Sequence, residues 1–442
     1  MGIWKQVSEL AAQTPENRNR YVDFLRATSI LVVIVGHWLI SAVYYADGEL
    51  GFKHLFQIQP WTQWLTWAFQ VMPIFFIVGG YSNAVSIESA KRKGVGYAGW
   101  LSGRLNRLMT PLIVLMVTWA ALSLIMNSFG ASAELITLIT RAALIPTWFL
   151  AIYIMVILLA PLMYAFWRRL GFLSIGILVA IAIIMDLLFF AFEIHGPSWS
   201  NYFWIWLPIH SLGFAWRDGR LGSPGRHLIY SAIALAALWL LIFQGPYPLS
   251  MVGSPGVELS NTTPPKITLL ALGLFQFGLL MMFEEPMRRA LAGLKLWTLI
   301  VLINSMIMTI YLWHITISLL LIGLLYLAGG LGMEIDPGST AWWWSRPVWI
   351  IVLWVLLVPF ALLMSPLERM SRGTGVVEAS TLRQVIGAMM LCLGVALLAL
   401  YGYGGIPHPG LDMAAIALVV GGAAVAGVLP GFSLQRSTED PQ

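Results

Sequence analysis

The stretch YVDFLRATSILVVIVGHWLISA, residues 21–42, is the first of a series of apolar segments that decide the fold of this chain. A helix of about 20 such residues crosses the ~30 Å hydrocarbon layer of a bilayer. Residues 1–20 are polar and lack the apolar core of a cleavable signal peptide, so we expect 21–42 to remain as a helix. Only 10% of the 442 residues are charged, whereas a soluble domain carries roughly 25%. The sequence therefore predicts an integral membrane protein.

Apolar segments separated by Pro, Gly, Asn or charged clusters predict twelve membrane-spanning helices. They are expected near 21–42, 64–86, 108–126, 147–166, 172–193, 203–216, 228–244, 267–283, 298–327, 347–364, 384–402 and 413–430. This pattern predicts an all-α, polytopic bundle of about 10 core helices followed by two C-terminal helices. The expected division is a cytoplasmic N-terminal segment at 1–20, a membrane domain at 21–365, a cytoplasmic linker at 366–383, two additional helices at 384–430 and a cytoplasmic tail at 431–442.

The distribution of Lys and Arg predicts the orientation, because these residues are retained on the cytoplasmic side of a membrane. If the amino terminus is cytoplasmic, 21 of the 25 basic residues fall in cytoplasmic segments. The remaining four are Lys53, Arg141, Lys266 and Arg346. Both termini are therefore expected in the cytoplasm. The net charge of +5 follows from this topology and does not indicate nucleic-acid binding.

Few ionisable side chains lie within the predicted spans, and each is a functional candidate because burying it in a bilayer is costly. His37 follows Arg26 by eleven residues, roughly 16 Å along a helix. Counted from the inner helix ends, Asp186, His210 and His314 fall at a similar depth. Four titratable groups at one level suggest a site.

An imidazole at the position of His37 can move a proton or accept an acyl group at nitrogen. Gly36 beside it would let a neighbouring helix or a substrate approach closely. A carboxylate next to the ring would raise its basicity; Asp186 is the preferred partner and Glu193 the second candidate. The alternative is a neutral histidine that hydrogen-bonds a neighbouring helix.

A second candidate feature is Arg104-Leu-Asn-Arg107, just before Pro111. Arginines three residues apart share one helical face and can grip phosphates in a forked geometry. Their cytoplasmic location fits a phosphorylated ligand. The alternative is ordinary charge that sets topology.

Signatures of other functions are absent from the sequence. We find no P-loop, no GxSxG element and no paired Cys or His with metal-ligand spacing, so no metal is expected. The single cysteine, Cys392, lies in an apolar segment and is expected to pack there. The Pro- and Gly-rich segment 245–266 is long enough for a lid or an acceptor contact, and its sequon at Asn261 is expected to be accidental.

Several of these features, taken in order, resemble the acyltransferase type 3 family of bacterial membrane enzymes. RYVDFLRATSILVVIVGHW (20–38) is similar to the family's first helix, with the Arg26 to His37 spacing. MPIFFIVGGYSNA (72–84) is similar to its FFxxSGY stretch, although Gly79 replaces the usual serine. Arg104-Leu-Asn-Arg107 with Pro111 matches its RxxR element, and residues 147–150 and 311–314 resemble two later landmarks.

The resemblance covers about residues 20–365 and implies O-acyl transfer from cytoplasmic acyl-CoA, with acetyl-CoA as the default donor. The acceptor would be a hydroxyl of an envelope glycan or glycolipid at a bacterial inner membrane. His37 would be the central catalytic residue. Asp186 and His314, which the helix depths place near its level, are further catalytic candidates. Arg26, Arg104 and Arg107 would bind the CoA phosphates.

Two departures from the family pattern matter. No extracytoplasmic hydrolase-like domain follows, and two extra apolar segments come after Arg383. The acidic residue that some relatives carry after the position of Trp148 is also absent, because Ala151-Ile152-Tyr153 stands there.

A proton-coupled transporter or flippase of a lipid-linked or small-molecule substrate is the main competing interpretation. Buried Asp and His residues also serve as proton relays, and twelve spans is a common transporter count. Against it, the two halves of the chain show no detectable similarity.

Overall fold

A computed structural model describes residues 3–254, 256–373, 380–404 and 411–428. The predicted tail at 431–442 and residues 374–379 of the predicted linker lie outside the described residues. The backbone of the rest of that linker, up to Gly373, is helical.

Most of the described chain is helical. The first eleven helices are α1 (Ile3–Ala12), α2 (Arg20–Ile40), α3 (Leu55–Ile58), α4 (Thr66–Phe69), α5 (Met72–Arg92), α6 (Tyr97–Ser128), α7 (Ala133–Leu144), α8 (Thr147–Leu170), α9 (Phe172–Ala191), α10 (Asn201–Trp204) and α11 (Trp206–Arg217). The others are α12 (Pro224–Phe243), α13 (Ile267–Met281), α14 (Glu284–Ala290), α15 (Leu294–Ser305), α16 (Ile307–Leu327), α17 (Thr340–Gly373), α18 (Thr381–Tyr401) and α19 (Leu411–Ala426). Turns of 3₁₀ helix occupy Pro60–Leu65 and Gly196–Ser200.

Nine helical segments of the described chain are long and apolar enough to cross a bilayer. They are Arg20–Ile40, Pro60–Arg92, Tyr97–Ser128, Thr147–Leu170, Phe172–Ala191, Pro224–Phe243, Ile307–Leu327, Thr340–Met364 and Thr381–Tyr401. Helices α13 and α14 form a tenth if they are counted as one span bent by 54°. The chain is therefore a multi-pass membrane protein.

The structure corrects the predicted count of twelve spans. The segment predicted at 203–216 contains α11, whose 12 residues reach only roughly 18 Å. The segment predicted at 413–430 contains α19, which has 16 residues. The single long span predicted at 298–327 is divided at Met306 into α15 and α16. Apolar composition is the same in short and long helices, so composition alone overcounted.

A β-hairpin follows α2 and was not predicted. Strands β1 (Ser41–Ala46) and β2 (Glu49–His54) pair antiparallel, with Ala46 opposite Glu49. Asp47 and Gly48 form the turn with φ of 51° and 86°. A two-residue turn with both φ angles positive is the type I′ geometry that Asp-Gly favours. This dipeptide was the available signal in the sequence.

The described chain divides into two compact units. The first unit comprises Met1–Ser86, Ala160–Ile307 and Thr316–Pro359. The second unit comprises Ile87–Leu159, Met308–Ile315 and Phe360–Gln442. In the first unit, Tyr45 N of the hairpin donates to Met333 O at 2.8 Å. In the second, the buried Cys392 Sγ donates to Ala151 O at 3.4 Å, which agrees with the expected packing role.

Candidate functional site

His37 lies in the last turn of α2 and is partly exposed. Helix α2 begins after Asn19, whose side chain accepts a hydrogen bond from Tyr21 N at 3.1 Å and so caps the first turn. It ends where the chain turns into β1. A Cβ atom on Gly36 would meet no heavy atom of the described residues within 4 Å. The backbone next to His37 therefore has room for another molecule.

Arg26, about three turns earlier on α2, is held by a buried carboxylate. Asp23 is 5% exposed, and its Oδ1 lies 3.0 Å from Arg26 Nη1. Arg26 Nη2 donates to Ser82 Oγ at 2.6 Å. Arg18 Nε lies 2.7 Å from Asp23 Oδ2, and this hydrogen bond raises the pKa of Arg18. Sequence reasoning missed the roles of Asp23 and Ser82, although both lie inside the quoted motifs.

Arg104 and Arg107 lie in the first third of α6, in the second unit. The Arg104 guanidinium stands 5.9 Å from the ring centre of Trp100, and Arg107 is exposed. Helix α6 has 32 residues, a length of roughly 48 Å against ~30 Å of hydrocarbon. The RxxR element therefore has enough helix after it to lie outside the hydrocarbon layer.

His314, also in the second unit, is fully buried on α16. Its Nδ1 lies 2.6 Å from Tyr311 O. A carbonyl oxygen accepts, so Nδ1 carries a hydrogen and donates it. Tyr311 in turn donates its hydroxyl to Pro146 O at 2.8 Å. These bonds fix the orientation of the His314 ring.

Asp186, on α9 of the first unit, is 2% exposed and accepts three hydrogen bonds. The donors are Asn201 Nδ2 at 2.9 Å, Tyr247 OH at 3.0 Å and Ile267 N at 2.8 Å. Lys266 Nζ lies 4.0 Å away, fully buried, and 3.4 Å from the centre of the Phe189 ring. Burial lowers the pKa of Lys266 to about 8. This network ties the end of α9 to the segment before α13.

The segment 245–266, predicted as a lid or an acceptor contact, is bonded to the body of the first unit. Trp67 Nε1 donates to Leu249 O at 3.0 Å, and Met251 N donates to Thr66 Oγ1 at 2.9 Å. Asn261 is fully buried, and its Nδ2 donates to Pro248 O at 2.7 Å. A buried, bonded asparagine cannot accept a glycan in this conformation, which agrees with the expectation that the sequon is accidental.

His210 lies at a close crossing of α5 and α11 in the first unit. A Cβ on Gly80 would overlap His210 O, and a Cβ on Gly213 would overlap Ile77 O. The His210 ring is fully buried, with Nε2 3.0 Å from Asn83 Nδ2. The two glycines therefore allow the backbones of α5 and α11 to touch, and the buried His210 lies at this contact.

The predicted site residues fall in both units. Arg26, His37 and Asp186 belong to the first unit, whereas Arg104, Arg107 and His314 belong to the second. The described residues hold no group of three His, Cys, Asp or Glu side chains that could bind a metal ion.

Comparison with protein families found one match, to a family model described as an acyltransferase domain, over residues 19–366. The match covers more than three quarters of the chain. Comparison with curated proteins and with solved structures found no match.

Proposed function

The chain belongs to the acyltransferase 3 family and is a membrane-bound acyltransferase, and we propose that it moves an acyl group, acetyl by default, from acyl-CoA to a hydroxyl of an envelope glycan or glycolipid. The proposed location is a bacterial inner membrane with both termini in the cytoplasm; the bias of Lys and Arg supports this orientation. With this orientation, acyl-CoA in the cytoplasm meets the helix ends that carry most of the Lys and Arg residues.

The observation that carries the proposal is the arrangement of α2. One helix presents Arg26, oriented by Asp23 and Ser82, and, eleven residues later, His37 beside the unfilled space at Gly36. The rise between Arg26 and His37 is roughly 16 Å. An extended donor can thus be held by its phosphates at one end while its thioester reaches the other.

The phosphates of CoA would be bound by Arg26, Arg104 and Arg107. Asp23 and Ser82 take two of the five N–H donors of Arg26, so others remain for a phosphate. Asp23 also restrains the side chain, which reduces the entropy lost when the donor binds.

His37 acts on the acceptor hydroxyl as a general base in the proposed reaction. The hydroxyl oxygen attacks the thioester carbonyl while its proton passes to the imidazole. The C–S bond then breaks, and the CoA thiolate receives a proton, so the products are the ester and CoA thiol. The alternative, in which the imidazole nitrogen carries the acyl group transiently, uses the same residue.

His37→Ala tests the central role. We expect a loss of acyl transfer of at least about 100-fold, the usual contribution of a general base, with acetyl-CoA binding retained. Transfer from radiolabelled acetyl-CoA to envelope extract, together with binding of acetyl-CoA to the purified protein, measures both. His195→Ala, at an exposed loop histidine, is the matched control. Undiminished transfer by His37→Ala would refute the proposal.

Asp186 and His314 stay predictions as catalytic residues. The three hydrogen bonds to Asp186 support a role in holding the segment 245–266. Asp186→Asn separates the two roles: a catalytic Asp186 gives a lower kcat at unchanged melting temperature, whereas a structural one lowers the melting temperature and leaves kcat per folded molecule unchanged.

A further inference from the structure

A cavity of about 350 Å³ lies in the first unit, apart from α2, and the proposed reaction does not use it. Its volume is at the lower end of the range for small-molecule sites. Apolar side chains form most of its wall, among them Leu212, Leu274, Phe277 and Met281. Three side chains with polar groups, Arg220, His227 and Tyr230, complete it.

The cavity lies where membrane helices end. Phe172 and Ile175 come from the first turn of α9, and His227 from the first turn and a half of α12. On α13 the lining runs from Leu274 to its last residue, Met281. The ends of membrane helices mark the level of the lipid headgroups. The cavity therefore spans the boundary between headgroup phosphates and acyl chains.

His227 is the unexplained group in this cavity. It is 93% buried by its relative exposure of 7%, yet neither ring nitrogen has a hydrogen-bond partner among the described residues. An unsatisfied buried donor costs free energy, so such a group calls for a missing ligand. The backbone of α13 packs closely against His227: a Cβ atom added at Gly278 would lie only 2.8 Å from His227 O. The backbone at His227 therefore has little room to move.

Two further features near His227 favour a negative charge. Arg220 lines the cavity, and its guanidinium lies over the Trp167 ring at 5.5 Å, while the neighbouring carboxylate of Asp218 is bonded to Arg217 and Trp167. The 20-residue helix α12 also begins at this end, so the positive end of its dipole lies here. An anion here would meet a cation, a helix N-terminus and an imidazole.

We propose that this cavity binds one anionic glycerophospholipid of the surrounding leaflet, with the phosphate against Arg220 and His227 and one acyl chain along Leu274, Phe277 and Met281. The apolar wall distinguishes this ligand from free phosphate, which would gain nothing from it. Tyr230 also lines the cavity and is about half exposed, so the cavity is open beside it.

Binding of lipid to the full-length, detergent-purified and delipidated protein tests the proposal. Native mass spectrometry and thermal shift would be recorded with phosphatidylglycerol, phosphatidylcholine, inorganic phosphate and acetyl-CoA as separate probes. We expect retention of one phosphatidylglycerol and a rise in melting temperature that phosphatidylcholine and inorganic phosphate do not produce. Acetyl-CoA, which has its own proposed site and so stabilises the protein independently, should not displace the lipid.

Two pairs of variants locate the site. Arg220→Gln should weaken phosphatidylglycerol binding about tenfold through loss of a charge-assisted contact, whereas Arg226→Gln, an exposed arginine outside the lining, should not. Leu274→Trp should fill the cavity and abolish binding, whereas Leu279→Trp, exposed on the same helix, should not.

Four results would overturn the proposal: equal binding of both phospholipids, equal effects within either pair of variants, stabilisation by inorganic phosphate alone, or displacement of the lipid by acetyl-CoA. The last would assign the cavity to the donor substrate. Because Arg220 and Leu274 are outside the proposed reaction, loss of lipid with transfer intact remains distinguishable from failure of the proposed function.

Discussion

Two histidines of the first unit stand beside glycine and have opposite surroundings. His37 as a residue is partly exposed, and a Cβ on the adjacent Gly36 would meet no heavy atom of the described residues within 4 Å. At His210 the ring is fully buried, Gly80 presses against its carbonyl oxygen, and Nε2 is bonded to Asn83. The first surrounding suits a residue that meets a substrate, and the second suits a residue that joins two helices.

The difference shows that glycine serves two purposes in one unit. Between α5 and α11 it removes side-chain volume so that two backbones can approach. On α2 it leaves a position where a Cβ would meet no heavy atom of the described residues within 4 Å. Only His37 has glycine beside it in the sequence. Gly80 meets His210 from another helix, so the sequence does not show that contact.

The largest expected effect comes from closing the tight crossing. Gly80→Ala forces a methyl group into His210 O, a backbone atom that cannot rotate away. We expect a destabilisation of at least about 3 kcal/mol, at the upper end for overpacking, seen as a lower melting temperature or loss of monodisperse protein. Gly36→Ala should leave folding unchanged. A normal melting temperature for Gly80→Ala would show that the crossing is not tight.

Asn83→Ala should have the next largest effect. It removes the bonded partner of a fully buried imidazole and leaves His210 unsatisfied, at a cost of about 2 kcal/mol. The melting temperature should fall while kcat per folded molecule stays the same. A selective loss of kcat would instead place His210 in the chemistry.

Filling the space beside His37 should reduce activity without affecting folding. Gly36→Leu adds a side chain at a position where a Cβ would meet no heavy atom of the described residues within 4 Å, so substrate and leucine would compete for the same volume. We expect a fall in kcat/KM of about tenfold, roughly the effect of blocking one good contact. The melting temperature is the control, and full activity would mean that substrate does not pass Gly36.

A third histidine gives the smallest effect and extends the comparison to pH. His54, outside the spans, is 5% exposed, and burial lowers its pKa to about 4. His54 stays neutral in the folded protein, whereas the same side chain in the unfolded chain takes up a proton below about pH 6.5. The free energy of unfolding should therefore fall as pH drops from 6.5 toward 4, by about 1 kcal/mol at pH 5.5.

The variant His54→Gln removes this proton uptake and should flatten that part of the stability curve. Thermal unfolding between pH 7 and pH 5 measures the difference from the wild type. An identical pH dependence in both proteins would show that His54 is accessible to protons in the folded state.

The long apolar segments were predictable, because nine of them become helices that can cross a bilayer. The failures have local causes. Helix α11 is as apolar as a true span but stops after 12 residues. The hairpin was not predicted because its strands lie between the span formed by α2 and the nearby Trp61 and Trp64. The Asp47-Gly48 dipeptide nevertheless marked its turn.

The surroundings of the site could not be predicted in the same way. The donors to Asp186 lie 15, 61 and 81 residues away in the chain, and no pattern in one sequence reports such pairings. Depth along a helix was estimated from rise per residue, which gives level but not direction around the helix axis. Asp23 and Ser82 lie inside the quoted motifs, but only the structure shows that both of them bond to Arg26.

Because the single thiol of this protein is buried, one added cysteine is enough for labelling from one side of the membrane. Cys392 is bonded to Ala151 O inside the second unit, so a maleimide that cannot cross membranes should leave the native chain unmarked. A cysteine placed at the exposed hairpin turn, Asp47→Cys, would then be the only reactive group. In intact cells the cysteine of Asp47→Cys should react with maleimide added from outside. Labelling of this one residue then reports the orientation of the whole chain.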